Sequence, residues 1–218
     1  RYFQPGAFYL RDPFANQKRS ELELNAAAQT LRAALAHLPK DNASAFRALL
    51  HASLWGNRID LSYLEIRQDS GGPLALERER ANLLVDDTAR VWDALRLQTA
   101  RGGRVDFICD NAGTELLFDL ALAEFLLRAG PAEKIVFHLK PQPFFVSDAM
   151  VKDAHAALDA ISQSSTPELH GLAQRLHQAL DEKRMVLTDH PFWVTHFFFH
   201  DLPEDLRQSL AQARLAIS

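Results

Sequence analysis

The chain has 218 residues, 47% of them apolar and 24% charged, with a net charge of -4. That composition is ordinary for a soluble globular protein, long enough for one large domain or one domain plus a helical appendage. It excludes nucleic acid as the main partner, since no basic stripe exists to release counterions. A single cysteine excludes a disulfide framework.

No apolar run approaches the roughly 20 residues of a membrane helix, and the start carries no signal-peptide pattern. Cys109, at a strand end, reads as a buried thiol in a reducing compartment, so the chain reads as cytoplasmic. Oligomeric state is not legible.

Residues 15–55 read as helical, with Leu22, Ala26, Leu31, Leu35 and Leu38 spaced for one face. Asp41-Asn42-Ala43-Ser44 supplies N-cap chemistry for a helix through Phe46, Leu49 and Leu50. Leu54-Trp55-Gly56-Asn57 breaks it, Asp60-Leu61-Ser62 restarts the chain, and Gln68 to Pro73 is a loop. A helix is expected near Ala75 to Leu83, and Asp86-Asp87 caps another over Thr88 to Ala100.

From Arg104 the pattern alternates. Strand 104–109 leads to helix 114–128, which Ala129-Gly130-Pro131 stops. Strand 134–140 leads through a proline-rich loop to helix 148–162, then a polar linker and helix 168–181. Met185-Val186-Leu187 reads as a third strand, followed by an aromatic block from Phe192 to Phe199, a helix from Asp201 to Ala213 and a fourth strand at 214–217. The fold class expected is α/β, a mainly parallel sheet with flanking helices in a Rossmann-like three-layer arrangement, plus an N-terminal helical subdomain. A soft boundary near residue 101 divides helical residues 1–100 from an α/β metal-binding domain over 101–218. The start at Arg1-Tyr2 and the final apolar run read as those of a piece of a longer protein.

The stretch Asp110-Asn111-Ala112-Gly113-Thr114-Glu115 directly follows the first strand. A β-rich run that stops at a carboxylate and an amide presents chemistry at the strand ends of an open α/β sheet. Both side chains offer oxygen to a hard cation, and the amides opening the next helix favour an anion. The same residues also suit an Asx-turn that merely caps the helix. Asp148, 38 residues on and after the second strand, tips the balance, because it reaches the same crevice.

Glu115 points from the first helical turn toward the strand ends, where it suits a substrate hydroxyl or a water. Asp119, four residues later, reads as solvated or salt-bridged. Lys140, at the end of its strand, is the candidate for neutralising phosphate charge, and His138 is equally a satisfied core histidine. Asn57 is a weaker candidate, since capping alone explains it. The loop Pro141 to Asp148 reads as stiff and apolar, suited to hold Asp148 and exclude water, with Ser147 or Asp148 also able to cap the next helix.

Other chemistries fail on spacing. Glu115 stands where a cysteine phosphatase built on Cys109 needs its arginine, and Ala112 replaces the second aspartate of a haloacid-dehalogenase loop. His196 and His200 are four apart, but Phe197 stands where a zincin needs glutamate, so that pair reads as core packing. Gly71-Gly72 and Gly102-Gly103 match neither a dinucleotide nor a P-loop fingerprint.

Taken together, Asp110 to Glu115 with Asp119-Leu120, then His138-Leu139-Lys140-Pro141-Gln142-Pro143-Phe144-Phe145-Val146-Ser147-Asp148, resemble the metal-dependent damage-control phosphatases, formerly a domain family of unknown function, in the subfamily of acidic-residue methyltransferase-like members. Asp12-Pro13-Phe14 with Gln17-Lys18, Leu54-Trp55-Gly56-Asn57 with Asp60-Leu61-Ser62, and His190-Pro191-Phe192-Trp193 fit the same pattern, so the resemblance spans nearly the whole chain. It implies a divalent metal, Mn2+, Co2+, Ni2+ or Mg2+, on Asp110, Asn111 and Asp148, with Glu115 touching a phosphorylated sugar or damaged metabolite. It also implies a lysine-glycine-aspartate phosphate loop and an arginine-threonine-x-lysine motif beyond the last strand, and neither is in these residues.

The function expected is a metal-dependent phosphomonoester hydrolase, with Asp110, Asn111 and Asp148 as its catalytic, metal-holding set and Glu115, Lys140 and Asn57 toward substrate. One alternative is an S-adenosylmethionine-dependent protein carboxyl methyltransferase, an activity also proposed within this family. Such an enzyme normally wants a glycine-rich loop where Asp110 and Asn111 stand. Another is a non-catalytic metal-binding module.

Overall fold

Strict alternation along two buried strands sets the architecture. The computed structural model describes residues 11–23, 26–54, 83–97 and 103–218. Strands β1 (Arg104–Ile108), β2 (Lys134–Leu139), β3 (Met185–Asp189) and β4 (Leu215–Ile217) form one sheet in the order β3-β2-β1-β4, and every pairing is parallel. Parallel neighbours need crossover connections. These are helix α5 (Thr114–Ala129) between β1 and β2, helices α6 (Val151–Ser162) and α7 (Pro167–Asp181) between β2 and β3, and helix α8 (Glu204–Leu210) before β4. The expected α/β class is the observed one.

Successive side chains on a strand point to opposite faces. Val105, Phe107, Ile135, Phe137 and Met185 therefore enter one apolar core, where the Phe107 and Phe137 rings, paired in register, stack with centroids 4.9 Å apart. The other face carries Asp106, His138 and Lys140. Asp106 is wholly buried there, accepting from Arg104 Nε at 2.6 Å and Nη2 at 2.7 Å and bonded to His138 Nε2 at 2.8 Å. The segment after β3 covers this face. Trp193, in a 3-10 turn (Pro191–Val194), meets the His138 ring edge-on, and Ser209 on α8 accepts from Arg104. His138 is thus a core residue, bonded through Nε2 but with its buried Nδ1 lacking a hydrogen-bond partner among the described residues, so it is only half satisfied.

Helix α5 is the hub. It is buried on all sides from Leu116 to Leu127, as a helix with apolar residues all round must be. Helices α1 (Ala15–Glu23), α2 (Ala26–Ala36), α3 (Asn42–Leu54) and α4 (Thr88–Leu97) precede the sheet. Both α2 and α3 pack on α5, and Phe46 of α3 stacks on Trp92 of α4, which in turn meets Phe125 of α5. One continuous apolar cluster runs from Leu31 and Phe46 through α5 to the sheet. Among the described residues no helix is long and apolar enough to cross a membrane.

Several boundaries move. Helix α6 starts at Val151 rather than 148, and Asp153 supplies its cap, accepting from the Met150 N–H at 3.0 Å. Neither Ser147 nor Asp148 caps that helix. The loop expected to exclude water instead leaves Phe144, Phe145 and Val146 exposed, since only Pro143 among its apolar residues turns inward. His196 and His200 share no helix and both lie exposed, so they do not pack in the core. Residues 75–82 of the helix expected near Ala75 to Leu83 lie outside the described residues, and Leu83 itself is not helical.

Candidate active site

The strand order reverses between β1 and β4, and ligands of open α/β sheets bind outside the carboxyl ends of strands at such a point. Asp110 and Asn111 follow β1 there. The backbone then draws Asp148 to them, because Ala112 N donates to Ser147 O at 2.7 Å and Ala149 N to Asp110 O at 2.7 Å. Asn111 and Asp148 form an isolated antiparallel bridge, and Lys140 N donates to Ala149 O at 2.8 Å. The loops after β1 and β2 are thereby stitched into one platform.

The side chains converge on it. Lys140 Nζ lies 3.4 Å from Asp110 Oδ1 and 3.9 Å from Asp148 Oδ1, and it donates to Cys109 O at 3.1 Å. Asn111 Nδ2 donates to Asp110 Oδ2 at 3.3 Å and Glu115 Oε2 at 3.1 Å, while its Oδ1 accepts from Ser147 Oγ at 2.6 Å. That geometry turns the amide oxygen, the better donor for a hard cation, toward the Ser147 side. Asp110 is 68% exposed and Asp148 only 4%, so one carboxylate faces solvent and the other anchors.

Burial pushes the Asp148 carboxyl above its ordinary range, and the nearby Asp110 charge adds to this; the Phe145 N–H and the Lys140 ammonium act against it. Burial likewise raises Glu115, against the stabilising bonds from Asn111. Two carboxylates held close, one of them poorly solvated, are the electrostatic condition that a cation relieves.

The ARMT1-like domain of damage-control phosphatases matches residues 2–218. This chain belongs to that family. It is 35% identical over 170 residues to damage-control phosphatase ARMT1 of Danio rerio, covering 73% of this chain and 38% of the relative. The ARMT1 of Bos taurus is 31% identical over 214 residues, covering 93% and 48%, and that of Rattus norvegicus 32% over 188, covering 79% and 42%. The chain thus spans less than half the length of these relatives.

Within the damage-control phosphatase domain, the structure brings together Asp110, Asn111, Glu115, Lys140 and Asp148. Asn57 lies outside the described residues. Among the described residues no three His, Cys, Asp or Glu side chains form a metal-holding cluster. The donor set here is instead the two carboxylates, with the Asn111 amide presenting its nitrogen to Asp110 and its oxygen to Ser147; carboxylate oxygens suit a hard oxygen-seeking cation such as Mg2+ or Mn2+. Lys140 already places one positive charge beside both carboxylates.

Asp119 departs from expectation. It is neither solvated nor salt-bridged but 7% exposed, accepting from Ser53 Oγ on α3. Burial, with a smaller push from Glu115, raises it to about 7. Three further side chains reach the platform. Ser147 binds Asn111, and Lys18 and Glu21 arrive from α1. The last two lie far away in sequence, so no local pattern marks their contacts.

Proposed function

We propose that this chain carries the metal half of a phosphomonoester hydrolase site acting on phosphorylated sugars or damaged phosphometabolites. The observation that carries this reading is the joining of Asp110, Asn111 and Asp148 at the ends of β1 and β2, with Lys140 between the carboxylates. Asp110 and Asp148 would hold the ion, Mn2+, Co2+, Ni2+ or Mg2+, and Asn111 would join them through Oδ1 once its amide turns from Ser147. When bound, it supplies Lewis acidity at a phosphoryl oxygen and stabilises the charge of the transition state.

The chain's own residues do the rest. The exposed Asp110 carboxylate faces the incoming ligand, whereas the buried Asp148 fixes the geometry. Lys140, a point charge on a flexible stem, neutralises phosphate oxygens. Glu115 accepts two bonds from Asn111 and keeps lone pairs for a sugar hydroxyl. Asn57 is retained as a substrate contact. Family membership and the oxygen-rich donor set support hydrolysis over methyl transfer, for which the loop after β1 offers a single glycine.

The test is phosphate release by the full-length protein from an aryl phosphate and from fructose 1-phosphate, with and without each metal. Asp110→Ala and Asp148→Ala are expected to lower metal-dependent turnover by at least about a hundredfold, since each removes a ligand to the ion. Turnover absent with every metal, or unchanged in both folded variants, would overturn the reading. Transfer of a methyl group from S-adenosylmethionine to protein carboxylates would then replace it.

A further inference from the structure

Helix α1 lies far from the strand ends in sequence, yet two of its residues touch both halves of the platform. Lys18 and Glu21 are three apart and share a face of that helix. Lys18 is 5% exposed. Its ammonium donates to Asp148 O at 2.5 Å and Asp153 Oδ2 at 2.9 Å and lies 3.1 Å from Asp12 Oδ2, so its three protons have three acceptors. Lys152 completes the network, reaching Asp12 Oδ2 at 2.8 Å and Asp153 Oδ1 at 2.6 Å. Two lysines thus balance two aspartates, and a buried cation with every partner in place is a rigid fixture.

Glu21 grips the other loop. Its Oε1 accepts from Thr114 N at 3.0 Å and Thr114 Oγ1 at 3.3 Å, capping α5 from outside that helix. The carboxylate lies against Gly113, where a Cβ would stand 2.0 Å from Oε1. The α5 N-terminus, expected from sequence to favour a ligand anion, therefore already holds an anion of the protein's own.

We propose that α1 is a positioning element for the candidate metal site, with Lys18 fixing the Asp148 loop and Glu21 fixing the Asp110-Asn111 loop through Thr114. This rests on the metal-site reading above. Neither residue touches the ion. Each acts on the main chain that carries the ligands, and partners of that kind set metal affinity by about 10- to 100-fold.

The experiment is an EPR titration of free Mn2+ against full-length parent, Lys18→Met, Glu21→Ala, Glu21→Gln, Asp148→Ala and Glu124→Gln. Glu124 is a buried residue paired with Arg128 and Arg175 on the far part of α5, and its variant reports instability alone. Lys18→Met and Glu21→Ala are expected to bind Mn2+ at least about tenfold more weakly than the parent. Glu21→Gln, whose amide oxygen still accepts from Thr114, stays within threefold, about the loss of a fraction of one hydrogen bond. Glu124→Gln stays within about twofold, because additivity holds between distant sites. In turnover, the two disruptive variants raise the Mn2+ concentration for half-activation while keeping the parent's kcat at saturating Mn2+.

Parent-like Mn2+ affinity in both Lys18→Met and Glu21→Ala overturns the proposal, as does an equal loss in Glu124→Gln. Should Lys18→Met fail to fold, the half-buried Glu21 decides alone: parent-like affinity in Glu21→Ala overturns it. A parent that binds no Mn2+, or an Asp148→Ala that binds it fully, instead removes the metal-site reading and the proposal with it.

Discussion

Asp119 is a carboxyl that the fold holds away from water, with Ser53 as its hydrogen-bond partner. Its pKa of about 7 in the folded protein stands above the ordinary 3.8. Between those values the folded state keeps a proton that the unfolded chain has released, so stability falls as pH rises through that window. Asp119→Asn keeps an oxygen for the Ser53 hydroxyl and carries no charge. Its urea-unfolding free energy is expected to lose this pH slope and, at pH 8, to exceed the parent's by up to roughly 4 kcal/mol. An unchanged slope would place the pH dependence elsewhere. Nothing in the sequence distinguished this aspartate from a solvated one, because its surroundings come from α3, 66 residues away. The convergence of Asp110, Asn111 and Asp148 was legible for the opposite reason, since each directly follows a strand or its loop.

At the scale of elements, helix α5 is flanked by two glycines with positive φ, and they differ in what surrounds them. Gly130 ends the helix at φ 89° with nothing near a built Cβ, so Gly130→Ala costs only its backbone strain, about 1 kcal/mol. Gly113 stands at φ 76° with the Glu21 carboxylate against it, so Gly113→Ala must also displace that carboxylate and is expected to cost at least about 2 kcal/mol. Urea unfolding of the two variants checks the order. Gly130 was legible as a helix stop from Ala129-Gly130-Pro131, a local signal. The environment of Gly113 was not, because α1 supplies it. The start of α6 departs from its expected position for a local reason. Asp148 looked like a cap, but its carboxylate accepts from Phe145 N and the cap falls to Asp153.

For the whole molecule, the alternation of strand and helix after Arg104 was sufficient to foresee a parallel sheet, since antiparallel pairing needs no such crossovers. The order β3-β2-β1-β4 was beyond it, because fully buried strands carry similar apolar runs whichever neighbour they take. That order places the candidate site at the reversal between β1 and β4, on a platform that belongs to the folded state alone. A ligand that binds only the folded state raises its stability by mass action. Mn2+ at about 100 times its dissociation constant is expected to stabilise the full-length protein by roughly 2.7 kcal/mol, and EDTA to reverse the gain. Asp148→Ala should show no such response, and a thermal midpoint indifferent to Mn2+ in the parent would count against the assignment.

Lys140, suspended between two carboxylates, means that the site brings its own counter-ion. One ammonium does not offset two carboxylates, so the metal-free site keeps a net negative charge and has no unspent positive charge to offer a phosphate. Were both carboxylates to hold a divalent ion, the Lys140 ammonium would be left free beside it to meet a phosphate. On the proposed metal-site reading, the expected order of assembly is ion first and anion second. Calorimetry with inorganic phosphate should register binding to the Mn2+-loaded protein and little to the metal-free one, and equal binding to both would dissolve that order.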